Sequence, residues 1–162
     1  MRSLIIGGDS MLGLALADCL DDVTVTSRRN GAPYFYDLLA SAPATLPNRP
    51  DVVYLIAAMT KFRDCEMNPD AYSINVDAQV AIAAHFSRAH IVYVSSEAAE
   101  WPNQTAYGSQ KRACEMMLTA ACGYDRLAIV RPRKIVPERV EALCHVLASV
   151  GNDRKIGVYR WE

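Results

Sequence analysis

Along this chain, short continuous apolar runs alternate with longer stretches in which apolar residues recur every three or four positions. The first run, Leu4-Ile5-Ile6, meets Gly7, and Met11, Leu12, Leu14, Ala15, Leu16 and Leu20 then follow at helical spacing. This predicts a strand, a glycine turn and a helix over 11–20. The β-branched run from Val23 to Ser27 predicts a second strand, closed by Arg28, Arg29 and the turn pair Asn30-Gly31. Tyr34 to Tyr36 reads as a further short strand, although the connection to it is too short for a crossover helix. Asp51 to Ala58 is apolar almost throughout, as a strand covered on both faces should be. Asn68 before Pro69 predicts a helix start, with Tyr72, Val76, Val80 and Ala83 marking one face of a long helix to Phe86. A strand over 90–95, a helix capped by Thr105 and running through Ala121, and a strand over 126–131 come next. A helix from Pro137, with Val140, Leu143, Cys144 and Leu147 on one face, and a last strand over 156–160 complete the pattern.

Strands alternating with helices argue an α/β fold, a doubly wound parallel sheet of the Rossmann type with right-handed crossovers. No linker or repeat divides residues 1–162, which read as one domain. Composition narrows the function classes. Seventeen Lys plus Arg against eighteen Asp plus Glu, spread along the chain, give a net charge of -1 and no basic field for nucleic acid. No apolar run reaches the length of about 18 needed to span a bilayer, and the first strand begins too early to leave room for a signal peptide. A cytoplasmic protein with no membrane partner is expected. The five cysteines contain no C-x-x-C pair and fall mostly in apolar patterns, predicting buried thiols rather than disulfides or zinc. His85, His90 and His145 lack metal spacing and are expected at the surface or at helix ends, so no metal site is predicted.

In a doubly wound sheet, ligands sit beyond the carboxyl ends of the strands. The first such turn runs Gly7, Gly8, Asp9, Ser10, Met11, Leu12, Gly13. Glycine there admits a close approach by a pyrophosphate, and the helix behind it offers free N–H groups and the positive end of its dipole. Ser10 stands where a third glycine is often found, and either caps the helix or reaches a phosphate. After the second strand the chain carries Arg28-Arg29 and no carboxylate, which favours the 2′-phosphate of NADP over the 2′-hydroxyl of NAD. Tyr107 and Lys111 are four apart on a predicted helix that follows the strand ending at Ser95-Ser96. A lysine there is expected to lower the tyrosine pKa towards neutrality, making Tyr107 an acid or base at a carbonyl or alcohol carbon, with Ser96 bonding the same oxygen. Glu66 and Glu115 are expected in solvent.

Taken together, these residues resemble the short-chain dehydrogenase/reductase superfamily, in its extended sugar-nucleotide branch of dTDP-4-dehydrorhamnose reductases and epimerases. The resemblance rests on Gly7–Gly13, on Arg49 to Thr60 with Cys65-Glu66 and Ile74-Asn75-Val76, on Val92 to Ser96, on Tyr107 to Lys111, and on Ala128 to Pro132. It implies an NADP-binding fold, with NAD as the other possible cofactor. Ser96, Tyr107 and Lys111 would form the catalytic set, with Lys111 also holding the ribose. The cofactor would meet Gly7, Gly8, Ser10, Met11, Leu12, Gly13, Arg28 and Arg29. Ala57 and Ala58 would line the nicotinamide side and Asp37 and Leu38 the adenine side. It also implies a homodimer built from helices near 69–87 and 105–121, for which Ile74, Ile82, Phe86, Met116 and Met117 are the apolar candidates.

Two departures bear on function. Only eleven positions separate Ser96 from Tyr107, shorter than the branch usually has, and Trp101-Pro102 replaces its usual Tyr-Gly. Trp101 either stacks on a substrate or fills the space left by the shortened loop. Only residues 133–162 follow the strand ending at Arg131-Pro132, where extended members carry a substrate domain. Two readings follow: an NADP(H)-dependent reductase of a carbonyl group on a nucleotide sugar or related small molecule, and a non-catalytic NADP(H)-binding module acting through a protein partner.

Overall fold

The computed structural model describes residues 1–47 and 49–162. Six strands form one parallel sheet: β1 (Arg2–Ile6), β2 (Asp22–Val25), β3 (Val52–Leu55), β4 (His90–Val94), β5 (Leu127–Pro132) and β6 (Gly157–Trp161). Their order across the sheet is β2-β1-β3-β4-β5-β6, and every pair is parallel. The order reverses between β1 and β3, so a crevice opens beyond the carboxyl ends of those two strands.

The helices are α1 (Met11–Asp18), α2 (Phe62–Met67), α3 (Ala78–His85), α4 (Ala106–Cys122) and α5 (Val140–Asn152). Side-chain alternation along the strands divides the core in two. Leu4, Ile6, Val53, Leu55, Ile91 and Ile129 point to the face covered by α3 and α4. Ile5, Val52, Tyr54, Val92, Ala128 and Val130 point to the face covered by α1 and α5. The central strands are buried on both sides, which is why they read as continuous apolar runs.

Several expectations change here. Tyr34 to Tyr36 does not form a strand: the backbone of Tyr34 and Tyr36 bonds Ser27 on either side of one parallel bridge between Ser27 and Phe35. The few residues joining it to β2 leave no length for a longer pairing. A short helix absent from the sequence reading, α2, precedes Asn68. Asn68 ends α2 by donating its N–H to the Asp64 carbonyl, its Oδ1 accepts from the Asp70 N–H, and after the turn at 69–70 the expected helical run follows over 71–85. A π-helical turn over Ser73–Asp77 then leads into α3. This wider turn buries three consecutive side chains, Ile74, Asn75 and Val76, which a regular helix would splay around its axis. Ile74, Ile82 and Phe86 are therefore core residues and not a spare apolar face, whereas Met116 and Met117 are exposed.

Thr105 caps α4 as expected, its hydroxyl accepting from the Gly108 N–H. Pro137 opens a 3-10 turn that passes into α5. His90 is buried at the start of β4, contrary to a surface role. Trp101 is 59% exposed, so it does not fill the core. All five cysteines are free thiols, four of them buried. Among the described residues no helix is long and apolar enough to cross a membrane.

Candidate functional site

A cleft of about 620 Å³ lies at the reversal point of the sheet, within the range that holds small ligands. Its floor is the turn after β1. Gly7 adopts φ 96°, and a Cβ there would stand 2.7 Å from the backbone nitrogen of Ala57. Only glycine fits that conformation so close to the chain leaving β3. A Cβ on Gly13 would meet the Gly7 carbonyl oxygen at 2.4 Å. Gly8 and Gly13 do not line the cleft; they let α1 and β2 pack against the turn from behind.

Ser10 resolves as the N-cap of α1. Its Oγ accepts from the Gly13 N–H at 3.0 Å and donates to the Gly7 carbonyl at 2.8 Å. Met11 and Leu12, at the first turn of the same helix, line the cleft. Their N–H groups come before any carbonyl they could bond within the helix, which leaves an anion-attracting helix start facing the crevice.

The opposite wall is the chain after β3, where Ala57 and Ala58 line the cleft as expected. Two buried amides fasten it. Asn75 accepts from the Met59 N–H at 2.8 Å and donates to the Met59 carbonyl and to Gln110 Oε1. Gln79 donates to the Ala57 carbonyl at 2.8 Å. The π-helical turn and the start of α3 thus present the clamp that shapes this wall.

Tyr107 and Lys111 both reach the cleft from α4, with Ser95 at the end of β4. Ser96 does not line it: its Oγ caps the following 3-10 turn by accepting from the Ala98 N–H, while its side chain also approaches Tyr107. Lys111 is buried, donates to the Val94 carbonyl at 2.9 Å, and lies 4.8 Å from the Tyr93 ring centroid and 5.8 Å from that of Tyr107. Burial lowers its pKa to about 8. The expected lowering of the Tyr107 pKa does not occur. Burial pushes the phenol up, opposed by its hydrogen bond with Ser96, because the ammonium is held over the rings by Val94.

Arg28, Asp37 and Leu38 line the cleft as expected, but Arg29 does not. Arg29 pairs with Asp9, Nε to Oδ2 3.5 Å, and Asp9 itself lines the cleft. The sequence reading missed Asp9, although a carboxylate inside a glycine turn was visible. It also placed Glu115 in solvent. Glu115 is buried and takes two bonds from Arg131, at 2.8 and 2.6 Å, and one from Ser95 Oγ at 2.5 Å. This network ties α4 to the ends of β4 and β5, which fixes the helix that carries Tyr107 and Lys111. The signal was its spacing: Tyr107, Lys111, Glu115, Leu118 and Cys122 share the buried face of α4.

Similar folds are known. A dTDP-4-dehydrorhamnose reductase from Clostridium acetobutylicum is 20% identical with a TM-score of 0.80, the match covering 99% of this chain and 74% of that one. One from Bacillus anthracis, solved with NADP, is 19% identical with a TM-score of 0.83 over the same shares. The enzyme WbmH from Bordetella bronchiseptica, solved with NAD+, is 15% identical with a TM-score of 0.74, again over 99% and 74%. No curated protein matches the sequence. The family model described as the RmlD substrate binding domain matches residues 1–99, the part that builds the glycine turn, the clamp and β4. The chain therefore belongs to the RmlD substrate binding domain family.

Proposed function

We propose that residues 1–162 act as one NADP(H)-binding domain, able to take NAD(H) as well, that reduces a carbonyl group on a nucleotide sugar or a related small molecule. The observation that carries this reading is that Tyr107 and Lys111 from α4, the start of α1 and Ala57 after β3 all line one cleft. A dinucleotide fits the donor set. Met11 and Leu12 offer amides to a pyrophosphate, Arg28 a guanidinium to a 2′-phosphate, and Ala57 and Ala58 a small apolar wall to a nicotinamide. The bound cofactor would supply the hydride.

The chain's own part is proton handling. Tyr107, held protonated by burial, donates its phenolic proton to the carbonyl oxygen as negative charge develops there. Lys111, its ammonium held by the Val94 carbonyl beside the Tyr107 ring, would hold the ribose. Ser96, which does not line the cleft, acts on the reaction only through Tyr107, whose phenol it holds by a hydrogen bond. With Lys111 titrating at about 8, reductive turnover falls as pH rises through that value. Names of the solved neighbours support the substrate class, since two are dTDP-4-dehydrorhamnose reductases.

The test is NADPH oxidation, followed by the absorbance of the reduced nicotinamide, across nucleotide sugars and simple ketones. Turnover with a keto-sugar nucleotide that disappears in Tyr107→Phe supports the proposal. Tight NADPH binding with no turnover on any carbonyl substrate contradicts the enzymatic reading.

A further inference from the structure

The adenine-side end of the cleft holds an arrangement that the arginine pair alone does not suggest. Asp9 leaves the glycine turn and reaches the residue that follows β2. Its Oδ2 accepts from Ser27 Oγ at 3.1 Å and pairs with Arg29 Nε at 3.5 Å. Ser27 Oγ in turn accepts from the Arg29 N–H at 3.0 Å. The three residues close a ring, backbone to hydroxyl to carboxylate to guanidinium. Dinucleotide-binding sheets meet the adenine ribose at the end of the second strand, where a carboxylate accepts from the 2′-hydroxyl and a cation accommodates a 2′-phosphate. In this chain the carboxylate at that position comes from the first turn instead of the second strand.

We infer that Asp9 is a specificity-determining residue for the 2′ position of the cofactor, favouring a 2′-hydroxyl and withholding Arg29 from a 2′-phosphate. The inference rests on the cofactor-binding function proposed above. Its physical basis is a contest between two groups lining the same end of the cleft. The Asp9 carboxylate repels a dianionic phosphate and offers an acceptor to a hydroxyl, whereas Arg28 attracts the phosphate. Arg29 does not line the cleft, and its charge is shared with Asp9. One arginine facing one carboxylate gives a site that takes both NADPH and NADH with little discrimination. Asp37, the other carboxylate at this end, spends its Oδ1 on the Leu39 N–H and so serves its own turn.

The test titrates NADPH and NADH into the intact chain and into Asp9→Asn and Arg29→Gln, reading Kd for each by calorimetry. Asp9→Asn keeps an acceptor for Ser27, removes the charge and releases Arg29. It should tighten NADPH about tenfold relative to NADH, a change of about 1.4 kcal/mol in preference. Arg29→Gln, which leaves Asp9 uncompensated, should move the preference the other way. Both shifts should shrink in concentrated salt, since Asp9 is 32% and Arg29 79% exposed in their side chains. Saturable binding with the NADPH-to-NADH ratio unchanged in both variants overturns the role of Asp9 and leaves the cofactor-binding function standing. Absence of saturable binding of either dinucleotide to the intact chain overturns both.

Discussion

The two ends of the cleft treat charge in opposite ways. At the end lined by Asp9 and Arg28, both Arg28 and Arg29 are exposed and Asp9 is half-buried, with Arg29 and Asp9 loosely paired at 3.5 Å. At the α4 end Lys111 and Glu115 are buried, and each is fixed by hydrogen bonds to the ends of β4 or β5. Charges of the first kind cost little to change and tune which ligand is preferred. Charges of the second kind carry large desolvation penalties, so their substitution alters stability and chemistry together. Under the proposed function, binding preference is set at the first end and proton handling at the second, and substitutions separate the two.

Replacing Tyr107 by Phe should give the largest effect. Reductive turnover should drop by about 10² to 10⁴, the usual worth of a positioned general acid, with the Kd for NADPH nearly unchanged. Turnover within a few fold of the parent would remove Tyr107 from the mechanism. Next is Glu115→Ala, which leaves Ser95 without its partner and Arg131 with only the Glu100 carboxylate, and should destabilise the chain by about 3 kcal/mol in urea unfolding. A loss below about 1 kcal/mol, as for an exposed pair, would show that the network does not anchor α4.

Lys111→Met sharpens the contrast because its effect has the opposite sign. The Lys111 pKa is lowered in the folded chain, so the unfolded chain binds more protons between pH 8 and about 10.5. Stability therefore rises with pH across that window, and burial of the charge costs about 3 kcal/mol at neutral pH. The methionine variant should be more stable at pH 7, should lose the rise of stability above pH 8, and should lose turnover. Equal stability at both pH values in the parent would contradict the buried-charge account.

Much of this architecture was legible in the sequence, for identifiable reasons. Doubly covered strands such as β3 and β4 announce themselves as apolar runs, and the Thr105 cap and the spacing of Tyr107 to Lys111 are local signals. The π-helical turn was not legible, because its register depends on Asn75 and Gln79 finding carbonyls in the chain after β3. The Asp9 to Arg29 pairing was likewise hidden, since it joins two turns that only the sheet order brings together. Arg29 by itself reads as a phosphate clamp.

The smallest expected effect concerns His90, away from the cleft. Burial, with Arg154 and Arg126 nearby, lowers its pKa below the ordinary 6.5. The unfolded chain protonates first as pH falls, so stability declines below about pH 6.5 and levels off once the folded pKa is passed. His90→Gln should flatten that decline in thermal melts between pH 5 and 7, while a parallel decline in the variant would assign it to other groups.

Calorimetric titration with NADPH decides whether the cleft is a dinucleotide site. Saturable binding at one site per chain is expected, with a rise in Tm that grows with NADPH concentration. Gly13→Ala, which drives a methyl group into the Gly7 carbonyl, should abolish both. No saturable heat with NADPH or NADH at millimolar concentration would contradict the dinucleotide site.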